Sequence, residues 1–225
     1  MIKKPIQNFQ ENLGEVKALL LMHEALTGEK RGRRDSLIQV LNKSSVVLLV
    51  ACWEAFIEDL ADKAFSSLLT KASSPDHFPK EVQKRLSKHV KEDKNDLKVL
   101  ELAGNGWKSI LKEYKITKSK KFLGEFNTPS PKNIDDLFSD LIGLDNLSKS
   151  WSWYTITPTN ARRRLQKFIK LRGTIAHKVK SKKPVHKGAV ETHMDFLQKL
   201  ANYSNERVNR YLGDFDKKKK VRQKK

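Results

Sequence analysis

Arg172 and His177 stand five residues apart in the stretch LRGTIAHKVK (171–180), with Gly173 between them. These residue types do chemistry on anions. An imidazole with an ordinary pKa of about 6.5 takes up and releases a proton close to neutrality. A guanidinium fork holds two phosphate oxygens while charge builds on them. Their setting is unusual. Arg172 falls in line with the apolar residues Leu165, Phe168, Ile169, Ile175 and Val179, where an unpaired charge is costly. His177 lies about 140° around a helix from Arg172, so the two side chains meet only around a ligand, at a frayed end or across a helix–helix interface. Gly173, four residues before His177, clears room on the histidine's own face for another backbone or a phosphate. The arrangement reads as a site on a bundle surface that a second surface closes over.

Other residues are candidates around this pair. Glu54 interrupts the apolar run LLVACWEAFI. It is either a carboxylate that orients Arg172 or His177, or a structural ion pair with one of many lysines. Arg162, Arg163 and Arg164 flank the same helix in ARRRLQK, placed to track a phosphate backbone or simply to solvate a helix face. Trp53 reads as core. Trp151, Trp153 and Tyr154 read as packing, with stacking on unpaired bases as the other use. His186 and His193 are seven residues apart, but HExxH spacing is absent and Cys52 is the single cysteine. No metal site follows, no internal disulfide is possible, and with no P-loop and no GxGxxG no cofactor is implied.

The elements that must position these residues are helical. Apolar spacing predicts a first helix from about Gln7 to Leu26, ending near Gly28, and a long second one from about Asp35 toward Ala72. The stripe of the second is read as Leu37, Leu41, Leu48, Ala51, Ala55, Phe65 and Leu68. Shorter helices follow around Pro79–Val90, Asn95–Ala103, Trp107–Tyr114 and Ile134–Leu141, the last capped by Ser130 or Asn133 after a loop at 124–136. Thr157 and Pro158 open the Arg172 helix, which should run to about Lys178 before KSKKP stops it. A final helix covers roughly Lys187–Leu212. The class is all-α. The first, second and last two helices form the bundle, and residues 73–156 form a lid or elaboration between the second and third long helices. Residues 1–216 read as one domain and 217–225 as a basic disordered tail.

The chain of 225 residues carries a net charge of +20, and seven of its Lys and Arg lie in the acid-free tail KKKKVRQKK. The body therefore keeps +13 and calls for a polyanionic partner, nucleic acid or an acidic membrane surface. The longest apolar run, VVLLVACW, is far short of the ~20 residues that span a bilayer, and MIKKPIQNFQ lacks the apolar core of a signal peptide. A cytoplasmic protein with no membrane partner is expected.

Taken with SSVVLLVACWEAFIEDLA (44–61) and FNTPSPKNIDDLFSDLIGL (126–144) followed by SW, the RGTIAHKV stretch resembles the RiboL-PSP-HEPN group of HEPN domains, over roughly residues 10–212. The resemblance implies a HEPN-type four-helix bundle with a helical insertion. It also implies a metal-independent endoribonuclease that works as a homodimer, often as a toxin or defence effector with an antitoxin or other defence-system partner. It makes Arg172 and His177 the catalytic pair, with Glu54 and Gly173 in support and Arg162, Arg163 and Arg164 on the RNA. RNA brings its own nucleophile, the 2′-OH, so the expected products are a 2′,3′-cyclic phosphate and a 5′-hydroxyl. Many HEPN motifs place a polar residue where Gly173 stands, so a noncatalytic RNA-binding or adaptor protein is the alternative.

Overall fold

The computed structural model describes residues 2–27, 36–123, 129–178 and 184–222. Gly28, Asp35, the first five residues of the 124–136 loop, Val179, the stop at 180–183 and residues 223–225 lie outside it. Among the described residues seven α-helices run in order: α1 Lys4–Thr27, α2 Ser36–Lys71, α3 Lys80–Lys91, α4 Gly106–Leu123, α5 Pro131–Ile142, α6 Pro158–Lys178 and α7 Lys187–Arg222. Short 3-10 turns occupy Pro75–His77, Asp96–Leu102 and Leu147–Ser150. An isolated bridge joins Trp153 and Ile156, and no strand occurs among the described residues. The all-α class stands.

Local chemistry accounts for the helix ends near the site. The Thr157 hydroxyl accepts from the Asn160 amide at 3.3 Å, and Pro158 needs no partner at the first position. For α5, Ser130 and not Asn133 is the cap, since its hydroxyl accepts from the Asn133 amide at 3.2 Å. Gly143 ends α5 in the left-handed region, with φ 70°. A side chain there would be strained, and its Cβ would also lie 2.8 Å from Pro79.

The centre of the bundle is α2, which packs against α1, α5, α6 and α7. Val46, Leu49, Val50, Trp53, Phe56, Ile57, Leu60 and Phe65 are among its buried residues. The expected stripe is therefore only partly right. Phe65 and Leu68 are buried, but Leu37 is 50% exposed, Ala51 is exposed, and Leu41, Leu48 and Ala55 are half-buried. A helix with neighbours on several sides carries apolar residues on several sides, so periodicity does not single out one face. By length and composition α2 could cross a bilayer, yet half of its apolar window is buried inside the protein. It serves as the core helix.

Residues 73–156 do more than cover the bundle. Leu137, Phe138, Leu141, Ile142 and Trp151 belong to the same hydrophobic core as α1, α2, α6 and α7. Trp151 donates through Nε1 to the Ser204 hydroxyl at 2.8 Å, which ties the insertion to α7. At its other limit α7 continues to Arg222, ten residues past the expected end. The helical backbone takes in residues 217–222; lysine is a good helix former and nothing in the run breaks the helix.

Candidate functional site

Helix α6 lies against α2, and its Leu165, Phe168 and Ile169 are buried. Four residues beyond Phe168, the same face carries Arg172, so packing of the stripe forces a guanidinium into the interface. Arg172 is half-buried, and its Nε is fully buried with no hydrogen-bond partner. Buried donors in this state are rare and ask for a reason.

Across the interface, Glu54 is half-buried on α2. Burial pushes its carboxyl above the usual carboxylate range, and the positive charge of Arg172 pulls it partly back. The structure thus brings Glu54 and Arg172 together electrostatically, although no hydrogen bond joins them among the described residues. Glu58, one turn further on, is raised as well, first by burial and then by the charges of Glu54 and Asp59. Sequence reading passed over Glu58, whose only signal is the i, i+4 spacing from Glu54.

His177 is exposed in the last turn of α6 and has no hydrogen bond to another described residue. It is therefore free to meet a ligand, and it is not paired with Arg172 within the chain. A Cβ built on Gly173 would have nothing within 4 Å. The space beside the pair is open. This end of the bundle is clamped from α2, where Gln39 and Asn42 donate to the Val185 carbonyl at 3.1 and 2.8 Å. The Val185 amide returns a bond to Gln39 at 2.9 Å. An ion pair between Lys187 and Glu24 adds the end of α1.

The three arginines separate. Arg162 approaches Asp135 at 3.8 Å. Arg164 donates to the Thr192 carbonyl at 2.8 Å and lies over the Phe196 ring. Arg163 is exposed. Trp53 is fully buried, stacked on Phe56 and edge-on to Trp151. No three His, Cys, Asp or Glu side chains converge on a metal-sized site among the described residues.

His193, seven residues from His186 in the sequence, takes a packing role. Its ring stacks on Phe168 with centroids 4.1 Å apart. Burial, helped by the charge of Arg164, holds its pKa down to about 4.

The penultimate long helix of the bundle thus carries an arginine that faces an acid and a histidine beside open space. The RiboL-PSP-HEPN family model matches residues 9–210, and the chain belongs to that family. HEPN domains of this kind act as ribonucleases or as RNA-binding modules. No curated protein and no solved structure matches the chain.

The His193 environment sets a pH dependence of stability. Its folded pKa of about 4 lies below the ordinary 6.5, so between these values the unfolded chain takes a proton that the folded chain refuses. Stability present above pH 6.5 should fall as the pH drops toward 4, by roughly 1–2 kcal/mol after solvent screening. Urea titrations across this range should show the loss in the wild type and a flatter profile in His193→Phe.

Proposed function

We propose that the protein is a metal-independent endoribonuclease. The 2′-OH of RNA attacks the adjacent phosphorus, the 5′-oxygen leaves, and a 2′,3′-cyclic phosphate and a 5′-hydroxyl result. A base takes the 2′-OH proton, an acid supplies one to the leaving oxygen, and a cation holds the phosphate oxygens as charge builds. Arg172 is that cation, and His177 from each of two protomers supplies the base and the acid. Glu54 positions the guanidinium. A toxin or defence effector in the cytoplasm, held by an antitoxin or other defence-system partner, is the setting that fits such an activity.

One observation carries the reading. Arg172 is kept half-buried with an orphaned Nε, next to a carboxyl itself displaced from its ordinary range, five residues from an exposed histidine. Perturbed, unsatisfied groups gathered beside open space are the mark of a functional site. Gly173 favours the second reading, a noncatalytic RNA-binding protein, because it leaves no polar side chain at that position.

The homodimer has its own support. Leu21, Met22 and Leu26 on α1 and Val40 on α2 are each more than half exposed. They lie at the end of the bundle where α1 finishes, α2 begins and the α6–α7 connection is clamped. Such a patch on a domain this charged is best covered by a second copy. Sedimentation at micromolar concentration should give the mass of two chains, and an active monomer would contradict this.

His177→Ala should reduce RNA cleavage by about 10²–10⁴-fold with an unchanged melting temperature, because the exposed ring packs on nothing. Cleavage by the wild type should survive EDTA and fail on 2′-deoxy substrates. Wild-type rates in the alanine variant would remove His177 from the mechanism and leave the RNA-binding reading.

Two further substitutions separate the site from the fold. Stability tied to Glu54 is lost as pH rises through its elevated folded pKa, so the neutral Glu54→Gln should melt at the same or a higher temperature at pH 7. Gly173→Ala should gain about 0.5–1 kcal/mol from helix propensity. Both should lose RNA cleavage. Retained cleavage in both would mean that neither residue serves the site.

A further inference from the structure

Helices α6 and α7 meet through large side chains more than through close backbone approach, and those side chains form a continuous series. From Phe168 and His193, one turn before Arg172, it passes to Arg164, whose guanidinium lies 4.3 Å from the Phe196 ring centre. Phe196 meets Trp153 at 6.1 Å, and Trp153 stacks on Tyr203 at 5.6 Å. The Lys199 ammonium lies over the Trp153 ring at 5.7 Å. Beside Trp153, Tyr154 is completely exposed, at 103% of its reference area.

Tyr154 has no packing role, yet its backbone is fixed. The Trp153 amide donates to the Ile156 carbonyl at 3.2 Å, and the Ile156 amide returns a bond to Trp153 at 2.9 Å. A ring raised from a closed turn is a stacking surface whose position the fold has already set, so little ordering remains to be done on binding. The surrounding charge is positive. Lys199, Arg207 and Arg210 share the Tyr203 side of α7, and Glu206 is the one acid between Lys199 and Arg210.

We propose that the Trp153–Ile156 turn is a base-stacking subsite for unpaired nucleotides, with Tyr154 as the ring that takes the base and Lys199 as the cation for its phosphate. Duplex RNA presents no free base face to such a ring; a single strand does. The subsite lies at the opposite end of α6 from His177, with about 21 Å of helix between Pro158 and Arg172. It rests on the RNA reading above and extends it. A strand running along α6 is gripped at Tyr154 and held at Arg172, so long single-stranded RNA is preferred over paired RNA.

The test is fluorescence anisotropy of the full chain with a short labelled oligouridine, methylated at its 2′-oxygens so that it cannot be cut, and with a duplex of equal length. Tyr154→Ala should weaken single-strand binding about tenfold, the loss of one stacked base. It should leave duplex binding and the melting temperature unchanged, and Tyr154→Phe should bind like the wild type. Equal weakening for single strand and duplex, or a loss in the phenylalanine variant, would overturn stacking. Wild-type affinity in Tyr154→Ala would overturn the subsite while leaving the nuclease reading intact, which the His177→Ala cleavage assay judges separately. A wild-type chain that binds no single-stranded RNA would overturn both.

Discussion

The burial of α2 is the constraint on which the other elements depend. Its middle, from Val46 to Phe65, is packed on several sides, with Trp53, Phe56 and Ile57 at most 1% exposed. Burying an aliphatic or aromatic side chain contributes about 1.5–3 kcal/mol. A helix that buries so many in succession fixes the positions of its neighbours. Leu165, Phe168 and Ile169 bring α6 to it, and Leu137, Phe138 and Leu141 bring α5. With Leu165, Phe168 and Ile169 buried on α6, Arg172 on the next turn of the same face is drawn toward the interface with α2.

Among the described residues, that interface holds one of several buried polar atoms without a hydrogen-bond partner, the others belonging to His23, Asn42, His89, His193 and Asn205. Away from it, half-buried charges are matched: Arg85 meets Asp140 at 3.3 Å and Lys118 meets the same carboxylate at 2.9 Å. Asp135 accepts from the amide and the hydroxyl of Ser148 at 2.7 and 2.6 Å. Between α2 and α6, Arg172 keeps a buried Nε without an acceptor, and Glu54 and Glu58 are both displaced toward the neutral form by burial. The open space beside Gly173 lies on the same helix as Arg172. A phosphate entering that space would offer oxygens to a guanidinium already partly stripped of water, where a charge-assisted hydrogen bond is strongest.

The seam between α6 and α7 serves the same end by different means. Because the backbones stay apart, the gap is filled by Phe168, His193, Arg164 and Phe196, and burial of the His193 ring, with the charge of Arg164 beside it, keeps that imidazole neutral well into the acid range. Of the two histidines near α6, one is thus a packing ring and the other is solvent-facing. Their sequence neighbourhoods do not reveal which is which.

Much of this was legible in the chain itself. Thr157–Pro158 marks the start of α6, apolar spacing gives the long helices to within a few residues except at the end of α7, and the Arg172–His177 spacing within a basic helix marks the candidate site, because capping, periodicity and residue chemistry are local properties. What the tertiary structure decided was which side each residue faces. The buried stripe of α2 was misplaced because a helix surrounded by neighbours has no single apolar face to read. Arg162, Arg163 and Arg164 look alike in sequence, and only Asp135, Thr192 and Phe196 tell them apart. Trp151, Trp153 and Tyr154 are successive aromatics of nearly one kind, yet they are buried, half-buried and fully exposed in turn. A side chain's chemistry belongs to the sequence, whereas its desolvation and its partners come from elements far along the chain, and those are fixed only when the helices pack.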